Sequence, residues 1–450
     1  MAAAPPGTRL PPVRELVTSH RASPQTVLRA IRALTAEGLV EAQPGRGTFV
    51  VDRPARLSTP DLSWQAVALG PRPDSEAALA ALLATHRPGA AVLSGGYLHP
   101  DLLPTAALGA ALARAARRPT SWLRGDVAGR EELRAWFARE AGGWLTADDL
   151  VVCAGGQAAL STAFRALATP GEAVLVESPT YVGAIAAARG AGLQVVPVPA
   201  DADGVRPDLL AAAFTRTGAR LFYCQPLYAN PTGAVLAVER RGAVLDAVRA
   251  AGAFLLEDDY ARDLSIDGDP PPPLAAADPD GHVVYVRSLT KSTAPALRVA
   301  AIGARGPAGE RLRTVRVIDD FFVAGPLQEA ALELVSAPSW QRHRRAVRAA
   351  LRQRRDTLVA ALARHLPAFA PTWVPRGGFH LWVRLPDGTD DVALAAAAAA
   401  HGVFIFPGRP WYAAEPAAPH LRLTFAAAPL DTLETGIRRL AGAYREDTLA

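Results

Sequence analysis

Lysine is all but missing from this chain: among 48 basic residues one, Lys291, is lysine, and the rest are arginine. Wherever positive charge alone suffices, guanidinium has been used. What guanidinium cannot do at neutral pH is lose a proton and attack a carbonyl, whereas a desolvated lysine can form a Schiff base, so the single exception marks a candidate reactive amine. Cysteine is nearly as scarce. Cys153 and Cys224 are too few for a disulfide framework and lie in apolar runs expected to be buried strands, which points to the cytoplasm. Half of the residues are hydrophobic, yet long apolar runs are lacking: Ala395–Ala400 is short and ends at His401, so no membrane span is expected. The N-terminus has no basic segment leading into an apolar stretch, which argues against a signal peptide. The nine histidines show no metal-ligand spacing, and no metal is expected.

Charge is distributed unevenly. Residues 1–56 hold eight arginines against four acidic residues, while the remainder is almost balanced, so a nucleic-acid partner is indicated for the N-terminal segment rather than the whole chain. One helix is expected from Leu10 onward with Pro12 in its first turn. A second is expected after Ser23, with Ser23 as N-cap, Pro24 at the first helical position and Val27, Ile31 and Leu34 on its apolar face. Glu37–Val50 then reads as a short β-hairpin with Arg46 between glycines at the tip. Residues 53–88 read as a linker containing Gly70-Pro71-Arg72-Pro73 and an Ala/Leu helix near Ser75 to Thr85. From Gly89 on, apolar strands such as Ala173–Val176, Gln194–Val198 and Leu221–Cys224 alternate with Ala-rich helices. That alternation predicts an α/β fold, a mostly parallel sheet with helices on both faces, and a long helix over Gln341–His365 that leads into a smaller C-terminal α/β domain.

Lys291 follows the apolar run Val283–Val286 within Ser288-Leu289-Thr290-Lys291, and Arg298 comes shortly after. A lysine at a strand end, with a hydroxyl and an arginine fork nearby, suits an aldehyde cofactor that carries a phosphate. The chain here resembles the fold-type I pyridoxal-phosphate (PLP) enzymes, the aspartate aminotransferase superfamily. Further segments appear in that family's order: Gly155-Gly156-Gln157 at a strand-to-helix turn, Tyr181 after Ser178-Pro179-Thr180, Asn230-Pro231-Thr232-Gly233, Glu257-Asp258-Asp259-Tyr260, and Leu421-Arg422-Leu423. The resemblance implies that Lys291 carries PLP, that Asp258, or less readily Asp259, pairs with the pyridine nitrogen, and that Tyr260 and Asn230 lie at the phenolic oxygen. It places Tyr181 on the ring, Gly156, Gln157, Ser288 and Arg298 at the phosphate, and Arg422 on a carboxylate, with Arg376 as the other arginine considered for that role. Where the family has a tyrosine that reaches the neighbouring subunit's phosphate, this chain has Arg124.

Residues 1–52 resemble the winged helix-turn-helix head of GntR regulators. Ser23, Gln25, Thr26 and Arg29 would face the major groove of double-stranded operator DNA, Arg14 a phosphate, and Arg46 the minor groove. GntR heads carry a further helix before the Leu-Pro-Pro segment, and nine residues precede Leu10 here. Either the start lies upstream or the head is degenerate. A GntR head joined to an aminotransferase-like body, here residues 89–450, is the MocR arrangement. It implies a homodimeric, PLP-dependent regulator that senses an amino acid or other amino compound; the competing expectation is an active aminotransferase with a vestigial head.

Overall fold

The computed structural model describes residues 4–51, 61–70, 78–79 and 89–449. The chain divides into two compact units, Met1–Arg72 and Pro73–Ala450. The expected linker helix near Ser75 to Thr85 lies outside the described residues except at 78–79.

In the first unit, helices span Val13–His20 and Pro24–Ala36, and the strands Val40–Gln43 and Gly47–Val50 pair antiparallel. Pro12 sits one position before the first helix, as its N-cap with extended ψ, and not inside the first turn as expected. With no N–H to give and a ring that blocks the preceding turn, proline closes a helix start without entering it. Ser23 caps the second helix by accepting from the Thr26 amide, with Pro24 next to it. A seven-residue helix at Ser63–Leu69 has no buried residue.

The second unit is built on an eight-stranded sheet. Its order is Leu150–Cys153, Ala300–Gly303, Val283–Ser288, Phe254–Asp259, Leu221–Cys224, Ala173–Ser178, Gln194–Asp201 and Gly204–Val205. All strands run parallel except Ala300–Gly303 and the terminal Gly204–Val205. The central strands are buried on both faces, which explains their unbroken apolar sequences. Beyond them, the helix Pro338–His365 leads to a four-stranded antiparallel sheet in the order Ala370–Pro371, His380–Arg384, His420–Thr424 and Phe406–Pro407. Both cysteines are free and buried. Among the described residues no helix is long and apolar enough to cross a membrane.

Candidate cofactor and ligand site

Functional side chains collect where the parallel strands end, the usual ligand position of an open α/β sheet. Gly156, Gln157, Tyr181, Asn230, Asp258, Tyr260, Ser288, Lys291, Arg298 and Arg422, scattered over the sequence, all line a single cavity of about 360 Å³.

Lys291 follows the strand Val283–Ser288, in a loop folded back on itself by the Leu289 carbonyl, which accepts from the amides of Ser292 and Thr293. Its ammonium donates to the Gly96 carbonyl at 2.7 Å and lies 3.8 Å from the centre of the Tyr97 ring. Burial, with Arg422 and Arg298 nearby, brings its pKa down to about 7. An amine in that range is a usable nucleophile at neutral pH.

Asp258 lies near the end of the strand Phe254–Asp259. Its Oδ2 accepts from Tyr223 Oη at 2.9 Å and Gln225 Nε2 at 2.8 Å. Burial raises its pKa to about 6 against those two hydrogen bonds, so it is largely a carboxylate at neutral pH. Asp259, one residue on, points to the opposite face as strand alternation requires, and is bound by Arg262 and by Tyr285 Oη at 2.7 Å. Tyr260 donates to the Tyr228 carbonyl at 2.7 Å, and the Asn230 amide donates to Gln225 Oε1 at 2.8 Å.

The helix Gly156–Leu167 aims its first amides at the same cavity. Gly155 precedes it at φ 90°, and a Cβ there would fall 2.4 Å from an Arg298 nitrogen, so both its conformation and its closeness to the guanidinium demand glycine. Arg298 itself has φ 50°, an uncommon conformation for a residue with a side chain and one that gathers at functional sites. Its Nη2 donates to the Ala154 carbonyl at 2.9 Å. The Gln157 side chain is spent on Tyr181: it accepts from the tyrosine hydroxyl at 3.1 Å and donates to the Gly183 carbonyl at 2.8 Å, which leaves its backbone N–H for an anion.

Arg422 is fully buried, lies 4.3 Å from the Trp411 ring, and donates to Asn230 Oδ1 at 3.2 Å and to the carbonyls of Ser94 and Gly95. Burial lowers its pKa to about 9. No carboxylate among the described residues forms an ion pair with it, and its Nε has no hydrogen-bond partner. Arg376 is exposed and outside the cavity, and Arg124 is exposed.

Gly96, Tyr97, Gln225, Phe379 and His380 also line the cavity, and the sequence gives no notice of them. Gly96 takes part through its carbonyl, which has no side-chain signature. His380 is buried, with its pKa well below the usual imidazole range through desolvation and the cations Arg422 and Lys291.

In the first unit Arg14, Gln25, Arg29 and Arg46 are exposed, Arg46 at the hairpin tip. Ser23 and Thr26 are exposed too, but their hydroxyls bond each other at 2.8 Å.

The second unit therefore has the fold and pocket layout of a fold-type I pyridoxal-phosphate protein, attached to a winged helix-turn-helix. The chain belongs to the aminotransferase class I and II family, which matches residues 93–440, and the family of bacterial regulatory proteins called gntR matches residues 2–50. It is 28% identical to an uncharacterized HTH-type transcriptional regulator of Bacillus subtilis, over 98% of this chain and 92% of that protein. It is 27% identical to the probable rhizopine catabolism regulatory protein MocR of Rhizobium meliloti, over 97% and 89%. Among solved structures it is similar to LysN, alpha-aminoadipate aminotransferase from Thermus thermophilus, crystallised with N-(5'-phosphopyridoxyl)-L-leucine. There the TM-score is 0.78 at 27% identity, over 86% of this chain and all of LysN. This is a GntR-type DNA-binding head fused to an aminotransferase-like domain, the MocR type of regulator, and its fold implies pyridoxal phosphate. The residues present fit that group: a half-buried amine, a buried carboxylate lining the same cavity, and a glycine cradle against an arginine.

Proposed function

We propose that the chain is a homodimeric transcription regulator that reads operator DNA with its head and senses an amino acid or related amino compound with its body. Bound in the cavity, pyridoxal phosphate would supply an electrophilic carbonyl and an electron sink. Lys291 would hold it covalently. Asp258, kept ionised and oriented by Tyr223 and Gln225, would hold a proton on the ring nitrogen, and Tyr260 and Asn230 would serve the phenolic oxygen. Tyr181, fixed by Gln157, would stack on the ring, and Ser288, Arg298 and the first amides of the helix Gly156–Leu167 would hold the phosphate.

Arg422 carries the reading. A buried guanidinium that meets neutral oxygens but, among the described residues, no carboxylate keeps an uncompensated charge, so a cavity lined by one calls for an anionic ligand. Sharing that cavity with the amine that holds the cofactor, it supports a ligand bearing both an amine and a carboxylate. The PLP-loaded protein is expected to change its visible spectrum when amino acids are added. Arg422→Ala should keep PLP and lose this response; an unchanged response in the variant would refute the assignment. A second reading, a working aminotransferase with a vestigial head, draws on the likeness to LysN and needs the same residues. Turnover of an amino acid to its keto acid together with no DNA affinity would select it.

A further inference from the structure

Behind the cavity, on the sheet face that carries Asp259, lies a buried ionic cluster that none of the roles above uses. Asp263 is its centre. Its Oδ2 accepts from Arg287 Nη2 at 2.8 Å and from Ser292 Oγ at 2.9 Å, and its Oδ1 lies 3.3 Å from Arg344 Nε without hydrogen-bond geometry. Arg287 is fully buried and Asp263 nearly so. Ser292 is also held by its carbonyl, 3.0 Å from His343 Nε2. His343 and Arg344 belong to the helix Pro338–His365, so the residue next to Lys291 is tied both to the segment after Tyr260 and to that helix.

We propose that Asp263 is a positioning residue for Lys291, acting through the hydroxyl of Ser292 and held in place by Arg287 and Arg344. This rests on the reading of Lys291 as the residue that carries PLP. A buried carboxylate is costly unless it is paired and hydrogen-bonded, and here one carboxylate accepts hydrogen bonds from one guanidinium and one hydroxyl and lies beside a second guanidinium. Burial would raise the Asp263 pKa, but Arg287 and Arg344 outweigh it and hold the group below the usual carboxylate range, so it is ionised at neutral pH. The serine is thereby a donor with a fixed acceptor, and the backbone at Lys291 has a fixed origin. Precise support of a reactive side chain is what sets its reach and alignment.

The test uses the full chain loaded with PLP. It follows the rate of PLP loss into a competing acceptor and the pH midpoint of the visible band of the lysine-bound cofactor. Asp263→Asn and Ser292→Ala are each expected to speed PLP loss on the order of tenfold and to displace the midpoint, because small misplacements of reacting groups are expensive. The double variant should be no worse than the single ones, since both cut the same connection, and Asp263→Glu should recover part of the effect. Unchanged loss rate and midpoint in Ser292→Ala, which leaves the ion pairs intact, would overturn the proposal even if Asp263→Asn fails to fold. Additive effects of the two substitutions would also overturn it. A wild-type chain that takes up no PLP would instead strike the proposed function.

Discussion

The head and the body deploy arginine in opposite ways. In the head, Arg14, Arg29 and Arg46 stand in solvent on a scaffold whose buried hydrophobic residues, among those described, are Val27 and Val40, while Leu28 and Leu34 remain 44% and 36% exposed. In the body, Arg287, Arg316 and Arg422 are fully buried, in a unit whose extensive apolar clusters pack on the large sheet and fill the smaller domain. Exposed charge acts at a distance, through phosphate contacts that salt screens. Buried charge acts at contact and is strong because water is excluded. On the proposed function, one residue type serves a DNA surface in the head and, through Arg422, a ligand pocket in the body, and burial separates the two uses.

The largest expected effect falls on the body. Lys291→Arg keeps the positive charge and removes the nucleophile, so borohydride reduction should fix PLP to one peptide of the wild type and to none of the variant. Covalent PLP in the variant would show that Lys291 is not the amine that holds the cofactor.

Smaller effects are expected on the head. Arg29→Ala should cost about 1–3 kcal/mol in operator binding and relax sequence preference if it reads a base edge, whereas Arg46→Ala should weaken binding across sequences and lower the salt slope by about 1. Titrations at matched and varied salt check both; no loss in either would remove the head from DNA reading.

A several-fold effect is expected with pH. An ordinary lysine has a pKa of about 10.4 and gains reactivity up to that point. Lys291, lowered to about 7, should make PLP uptake by the cofactor-free protein rise as the pH passes through that value and level off above it. A rate still climbing well into the alkaline range would mean that the cavity does not desolvate the amine.

The smallest effect is thermal. Two unfolding transitions are expected from the two units. PLP at about a hundred times its dissociation constant should stabilise the body by about 2.7 kcal/mol and leave the head's transition in place. A common shift of both would show that the units unfold together.

Much of the pocket was legible because Gly156, Asp258, Ser288 and Lys291 sit at or just past the ends of buried apolar strands, where a polar or reactive residue has few structural reasons to be. Asp258 and Asp259 illustrate the limit: period-two alternation puts them on opposite faces, but which face holds the cavity depends on the sheet's neighbours. Gly96 was hidden because it contributes a carbonyl, and His380 because a lone histidine in Gly377-Gly378-Phe379-His380 has no spacing to announce it. Residue type points to Ser23 and Thr26 as base contacts, yet their hydroxyls are engaged with each other in the helix cap. That competition between local capping and recognition is not resolved by residue type alone.

The most direct test of a ligand-sensing regulator is a binding titration of the full chain on the DNA just upstream of its own gene. It would be run without ligand, with PLP, and with PLP plus an amino acid that moves the visible spectrum. Sequence-specific binding is expected, with an affinity that differs between these conditions by roughly 5- to 150-fold, the usual range for coupled sites. Identical affinity in all three, or no preference over unrelated DNA, would contradict it.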